Sequence, residues 1–513
     1  MVLLALVSFA SAAPGAIDPV KLHDQLIARF EDTSGQGGCL TELVMDLKAN
    51  WGLFSAPERE RITSVLAPFK ADLVEPMAPD GAVPPPSGTP TDTCFGQQGD
   101  NRLTGEHFAV EWDTGSVTQS VAQSFLEDLE YAHQAEIDEQ GWRAEAGDSQ
   151  YLMLAFIDDQ NTGGAYTTVE ACHNVYAPYI VAGKDAVQYG SWTEEMAAHE
   201  FNHALQFNYS FAPEFWWWEA TATYVQSVVR DSHNWADYLV GYSDKPYIAL
   251  GASSQSDQDV FWHMYGLSIF GHYLADYQGG EDTVRATWEN ARSDRGQYDY
   301  GGKDMVEGLG LDWRTTWIDF ITKNVAMDYS QHQLYPDIKT VDKVSSLPAS
   351  GEGSGDKRPQ GYGQNYIRFE GGNGAGDLHV TFSGDSSVDW AVILAESDGT
   401  HVVSSVSAIS SGGAADLTFA DFGEDDVYLV VSPLDAAETK HDYSWTAELK
   451  SSGHPPDTGT IGDDSGDSGS PGDRYQSRKN QDEAGCGCSS PVGAPVGVGW
   501  LVGLAGLAMR RRK

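Results

Sequence analysis

The chain has 513 residues, enough for about three domains at ~150 residues each. Hydrophobic residues make up 41% and aromatics 11%, ample material for buried cores, which excludes a wholly disordered or collagen-like chain. With 31 Lys+Arg against 75 Asp+Glu the net charge is −44, a field that repels phosphate backbones and excludes a general nucleic-acid binder.

In chain order, the apolar run from Met1 closes at Ala10-Ser11-Ala12, a small-x-small pattern that predicts a secretory signal peptide over 1–12. Residues 13–74 show apolar spacings of three and four, as in Leu40-Thr-Glu-Leu43-Val44, and predict a helical segment. It is either a propeptide or part of the main domain. Residues 75–94, with Pro84-Pro85-Pro86, read as an extended Pro-rich linker.

From 95 to 345 strands are followed by helices, which predicts an α+β domain. Residues 108–112 and the apolar run 151–157 read as strands, as do 179–181, and 120–136 reads as a helix. Asp158-Asp159 and 161–164 form a turn, where Ca²⁺ is a secondary candidate ligand. Residues 192–207, 215–229, 260–277 and 313–327 read as helices. Residues 350–358 are Gly- and Ser-rich and read as a linker. Residues 360–450 switch to period two and predict a β-sandwich. Residues 451–484 read as a polar tether.

Pro491 to Met509 carries no charge and is followed by Arg510-Arg511-Arg512-Lys513. At 1.5 Å per residue this run just crosses a hydrocarbon layer of ~30 Å, with the basic end cytoplasmic. With Cys486-Gly487-Cys488 before it, the segment 485–513 resembles the C-terminal sorting tails of myxobacterial surface proteins. The resemblance implies surface anchoring, and a sorting protease that cuts near the cysteines. Among Cys39, Cys94 and Cys172 an oxidising compartment favours one disulfide, with three pairings open and one thiol left over. No CxxC pair is present, which disfavours a thiolate zinc site.

The chemistry centres on His199-Glu200-Phe-Asn-His203. A spacing of four stacks the two imidazoles on one helical face, where they can grip one Zn²⁺. Glu200, one position on, addresses water at the metal as general base. A third ligand is needed, and Glu219, at the start of a second predicted helix, is the first candidate. Glu214 ranks below it because it precedes the helix. Tyr224, Tyr265 and His233 are candidate donors for the tetrahedral oxyanion, and Tyr224, five residues after Glu219, is equally a core residue. For His233 and His263 the non-catalytic reading leads.

Trp216-x-x-Glu219-x-x-Ala222-x-Tyr224 after His-Glu-x-x-His is similar to the second zinc motif of the gluzincins, metallopeptidases with a Glu third ligand. The resemblance implies a zincin-like fold, His199, His203 and Glu219 as ligands of one catalytic zinc, and Glu200 as base. The spacer between the motifs is shorter than is usual in that family. The position four after Glu219, acidic in thermolysin-type relatives, is Thr223 here, so a partner that orients a histidine comes from elsewhere. Together with the signal, sandwich and tail, the chain resembles secreted metalloproteases of the myxobacterial type. The expected function is a secreted or surface-anchored zinc endopeptidase acting on extracellular proteins or peptides. The alternative is a surface binding protein, or adhesin, with an inert metallopeptidase-like domain. Neither a Gly-x-Ser-x-Gly elbow nor a P-loop is present.

Overall fold

A five-stranded sheet organises the N-terminal half of this computed structural model, which describes residues 39–66 with Leu22 and Asp24, and 90–451 apart from 161–163, 174, 255–256, 292–299 and 373–375. The expected signal peptide and sorting tail, all of the 451–484 tether but residue 451, and residues 75–89 of the 75–94 linker lie outside the described residues. The chain divides into Met1–Gly453 and His454–Lys513, and only the first falls within the description. Among the described residues no helix is long and apolar enough to cross a membrane.

The sheet comprises β1 (Asn101–Thr104), β2 (Phe108–Trp112), β3 (Met153–Asp158), β4 (Ala165–Cys172) and β5 (Val175–Gly183), in the order β1-β2-β3-β5-β4. The three central strands are parallel, and both edges, β1 and β4, are antiparallel. Strand period two separates the apolar run of β3 into two buried faces. Met153, Ala155 and Ile157 join the main core. Leu154 and Phe156 face a second core shared with Leu40, Leu43, Val44, Leu47 and Phe54. The N-terminal helices α1 (Thr41–Ala49) and α2 (Ala56–Val65) therefore cover one side of this sheet.

The other side carries α3 (Gln119–His133), prolonged by a π-helical turn Gln134–Glu139, and α4 (Ser191–Phe207). Phe207 ends α4 two residues before a reversal through Ser210–Pro213, and α5 (Phe215–Val229) returns beside it. Thirteen of its fifteen residues are buried, so α5 has no solvent stripe. Each indole of its Trp run donates its N–H: Trp216 to Glu214 Oε2, Trp217 to Thr287 Oγ1 and Trp218 to Pro213 O. The predicted helix over 260–277 is two, α6 of the next run being Leu239–Ser243, then α7 (Gln258–Gly266) and α8 (Ser268–Gln278). Helices α9 (Asp282–Glu289), α10 (Gly302–Gly308) and α11 (Trp313–Lys323) complete this half.

The C-terminal region is a β-sandwich, so the chain is mixed α+β. One sheet holds β6 (Asp342–Val344), β8 (Asn365–Phe369), β10 (Trp390–Ser397), β11 (Val402–Ser410) and β13 (Asp426–Pro433). The other holds β7 (Ala349–Glu352), β9 (Gly376–Gly384), β12 (Ala414–Phe422) and β14 (Tyr443–Lys450). The predicted linker at 350–358 is thus corrected: it begins as β7, paired with β14 at Ser350↔Thr446. Glycine is needed there because a Cβ on Gly351 would lie 2.7 Å from the Trp445 ring. In β10, Trp390, Val392 and Leu394 fill the sandwich interior. Ala391, Ile393 and Ala395 pack into the main core with Trp317 and Phe320. Both faces of β10 are buried, and the two halves share one core.

Candidate metal centre

Helix α4 places His199 and His203 on one face, and α5 returns Glu219 to meet them. The Glu219 Oε2 atom lies 3.1 Å from His199 Nε2 and 3.7 Å from His203 Nε2. Two ligands ~2.0–2.1 Å from one tetrahedral zinc would stand about 3.3 Å apart, so this spacing suits a common cation. Both His203 Nε2 and Glu219 Oε1 are buried without a hydrogen-bond partner. A cation at this point would satisfy them, and the residues therefore fit a metal.

The imidazoles are oriented by two glutamines that sequence reasoning did not single out. His199 Nδ1 lies 2.9 Å from Gln226 Oε1, and His203 Nδ1 lies 2.7 Å from Gln206 Oε1. An amide oxygen only accepts, so each ring carries a proton on Nδ1 and turns Nε2 towards Glu219. Gln226 in turn donates to Glu195 Oε2 at 3.0 Å, and Gln206 donates to Asn202 Oδ1 at 2.9 Å. The available signal was positional: Gln226 lies two helical turns after Glu219, and Gln206 one turn after His203. Gln226 takes the orienting place that Thr223 does not fill.

Glu200 is 1% exposed. Thr167, on the edge strand β4, holds its hydroxyl 2.8 Å from both Glu200 Oε2 and the Glu200 carbonyl oxygen, which share its one proton. Burial raises the Glu200 carboxyl above its ordinary range, although His203, His199 and the Thr167 hydrogen bond offset part of the rise. Burial also opposes a Glu219 charge, but His203 and His199 prevail and hold that carboxyl at about 2. For His203 burial is again opposed, here by Glu219 and Glu200, and the imidazole is raised.

Of the candidate oxyanion donors, Tyr265 lies at the site. Its ring stacks on His199 with centroids 5.9 Å apart, and both line a cleft of about 900 Å³. Tyr224 does not reach it: five residues after Glu219 it points off the other side of α5, packs on His272 and Gly271, and lines a separate cavity. His233 sits beside Asp231 at a left-handed backbone position outside the cleft. His263 is buried without a partner against Tyr242, and burial pushes its imidazole down to about 3. Glu214 accepts the Trp216 indole away from the two histidines. Asp158 and Asp159 accept hydrogen bonds from Gln160 and join none of the metal-holding groups found among the described residues.

Of the three cysteines before the tail, Cys94 and Cys172 form the one expected disulfide, and the thiol left over, Cys39, joins the centre. Its Sγ and one donor atom each from His199, His203 and Glu219 all lie within 4.8 Å of one another. No CxxC spacing announced this, because the thiol arrives from the N-terminal segment across the sheet edge.

No protein-family model matches the chain, and no characterised protein matches it. Among solved structures, the pre-peptidase C-terminal domain of a Bacillus anthracis collagenase is 16% identical over 21% of this chain and 97% of that domain, with a TM-score of 0.17. CorA, a surface-associated copper-binding protein of Methylomicrobium album BG8, is 8% identical over 21% of this chain and 100% of its own, with a TM-score of 0.15. A β-glucosidase from Paenibacillus barengoltzii is 13% identical over 20% of this chain and 11% of its own, with a TM-score of 0.12. Similarity at this level assigns the chain to no family.

Proposed function

We propose that this chain is a zinc metallopeptidase with a zincin-like, gluzincin-type site that hydrolyses peptide bonds in extracellular proteins. The observation that carries the reading is the meeting of His199 Nε2, His203 Nε2 and Glu219 Oε2 beside a buried Glu200. Two neutral imidazoles and one carboxylate form a donor set that suits zinc with a position left open. When bound, zinc supplies a Lewis acid and lowers the pKa of water at that position towards ~7.

The chain's own groups do the rest. Glu200 accepts a proton from the attacking water on its carboxylate and returns it to the leaving nitrogen, a transfer worth about 10²–10⁴-fold. Thr167 holds that carboxylate in place. Gln226 and Gln206 hold the imidazoles in the tautomer that presents Nε2. Tyr265 Oη donates to the developing oxyanion. The cleft has room for several residues of an extended chain, which favours endopeptidase action. The sequence features of 1–12 and 485–513 support export and surface anchoring or release, and the Cys94–Cys172 disulfide favours an oxidising compartment.

The test is digestion of a peptide library by the full-length protein and its Cys39→Ala variant, with metal analysis alongside. The expected result is one zinc per chain and chelator-sensitive cleavage. Glu200→Gln should keep the metal and lose cleavage by at least about 10²-fold. Stoichiometric metal without cleavage of any peptide by any form would favour the adhesin alternative.

A further inference from the structure

Cys39 is engaged at the cleft through its sulfur and its backbone. Its Sγ lies within 4.8 Å of the donor atoms of His199, His203 and Glu219, donates to Thr41 Oγ1 at 2.9 Å and accepts a hydrogen bond from the Thr41 N–H at 3.4 Å. Its backbone N–H donates to the Tyr265 hydroxyl at 3.1 Å. Next to it, the Leu40 N–H donates to Ala165 O at 2.8 Å, and the Thr167 N–H donates to Thr41 Oγ1 at 2.9 Å. Those last two partners lie on β4, an edge strand whose one neighbour in the sheet is β5. An extended peptide adds to a sheet through such an edge.

A thiol alone makes no site, but this one meets two buried donor atoms without partners, His203 Nε2 and Glu219 Oε1. We propose that Cys39 is a built-in inhibitor: its sulfur takes the metal's open position while residues 39–41 occupy the strand edge and the Tyr265 hydroxyl. The inference rests on the peptidase reading of the site. As the sulfur–metal bond forms, the thiol proton passes to solvent and the water at that position leaves. Withdrawal of Cys39 reverses both.

Opening is local. Helices α1 and α2 bury Leu154, Phe156 and Tyr166 of the sheet, and their wholesale departure would expose that apolar face. Lys48 further fastens α1 to β4, donating to Val169 O at 3.0 Å and pairing with Glu170. Movement of Cys39 alone, the residue before the buried Leu40 and Thr41, frees the metal and Tyr265 together.

The test uses the full-length protein loaded with Co²⁺, which reports sulfur ligation by a near-ultraviolet charge-transfer band. The wild type should show the band. Cys39→Ser and Cys39→Ala should lose it while keeping one Co²⁺ per chain. Acetohydroxamate should then bind the variant metal at least about tenfold more tightly than the wild-type metal, because the closed form lowers apparent affinity by its population. With zinc, both variants and the iodoacetamide-treated wild type should gain at least about tenfold in peptide cleavage. A wild type without the band, or equal hydroxamate binding by all forms, overturns the proposal. Failure of the peptidase reading looks different: the band and the hydroxamate difference persist, and no form cleaves peptides.

Discussion

Thr167 on the edge strand donates its hydroxyl to the Glu200 carboxylate at 2.8 Å, so the sheet edge and the motif helix meet at the proposed base. Hydrogen bonding to the charged form favours it, and this bond pulls the Glu200 carboxyl down against the rise from burial. In Thr167→Val the carboxyl should therefore stay protonated to higher pH. The acid limb of the kcat/KM profile should move upward, and the rate near neutrality should fall about tenfold, the worth of one hydrogen bond to a charge. An unshifted limb would show that Thr167 does not position the base. The assay belongs in the Cys39→Ala background.

The two glutamines give a metal-affinity prediction. Removing a group that orients a ligating histidine costs about 10–100-fold in metal affinity. Gln226→Ala and Gln206→Ala should each weaken zinc binding within that range, measured by competition with a chelating dye. Gln226→Glu should restore only part of the loss, because its carboxylate accepts the Nδ1 proton but faces Glu195, to which the Gln226 amide donates.

His263 supplies a stability prediction with a defined sign. Burial holds its folded-state value at about 3, against 6.5 for the ordinary side chain. A depressed imidazole value means the unfolded chain binds the extra proton. Stability is intact above about pH 6.5 and is lost as the pH falls towards 3. His263→Leu removes this loss, and its advantage over the wild type should reach roughly 2 kcal/mol at pH 5 and shrink above pH 7. Denaturant melts at the two pH values measure it. The comparison also cancels Glu145, whose carboxyl burial pushes up to about 8 and whose effect runs the other way.

Trp317 tests whether the sandwich is a separate unit. It is fully buried, and its indole donates to Ser432 Oγ at 3.3 Å across the junction of the two halves. Tyr366 Oη likewise donates to Ile321 O at 3.1 Å. Trp317→Ala should cost about 3–5 kcal/mol. Calorimetry should show one transition in the wild type, and the variant should lower it as a whole. Two wild-type transitions would mean that the halves unfold independently.

Period and spacing made much of this legible. The Phe215–Val229 helix matches its expected limits, and the motif helix starts one residue early. Strand β3 was visible because both of its faces are buried, leaving an unbroken apolar run. Its neighbour β4, Ala-Tyr-Thr-Thr-Val-Glu-Ala-Cys, went unread because an edge strand of small and polar residues carries neither a clean alternation nor a continuous apolar run. That strand supplies Thr167. The ligand spacing within α4 is local and therefore readable, whereas the approach of Cys39 depends on a chain reversal that no motif encodes. For Tyr224 the structure takes the core alternative, because five residues on a helix turn a side chain well away from the Glu219 face.

The Cys94–Cys172 bridge sets how the N-terminal arm is held. It staples the chain just beyond the Pro-rich stretch to the last residue of β4, the strand that starts at Ala165 beside the cleft. A proteolytic nick upstream of Cys94 would leave the downstream fragment anchored at its new terminus. The upstream fragment, with Cys39, would be retained by non-covalent contacts alone. An intramolecular closure would become a bimolecular one, and activity would rise on dilution as the fragment dissociates.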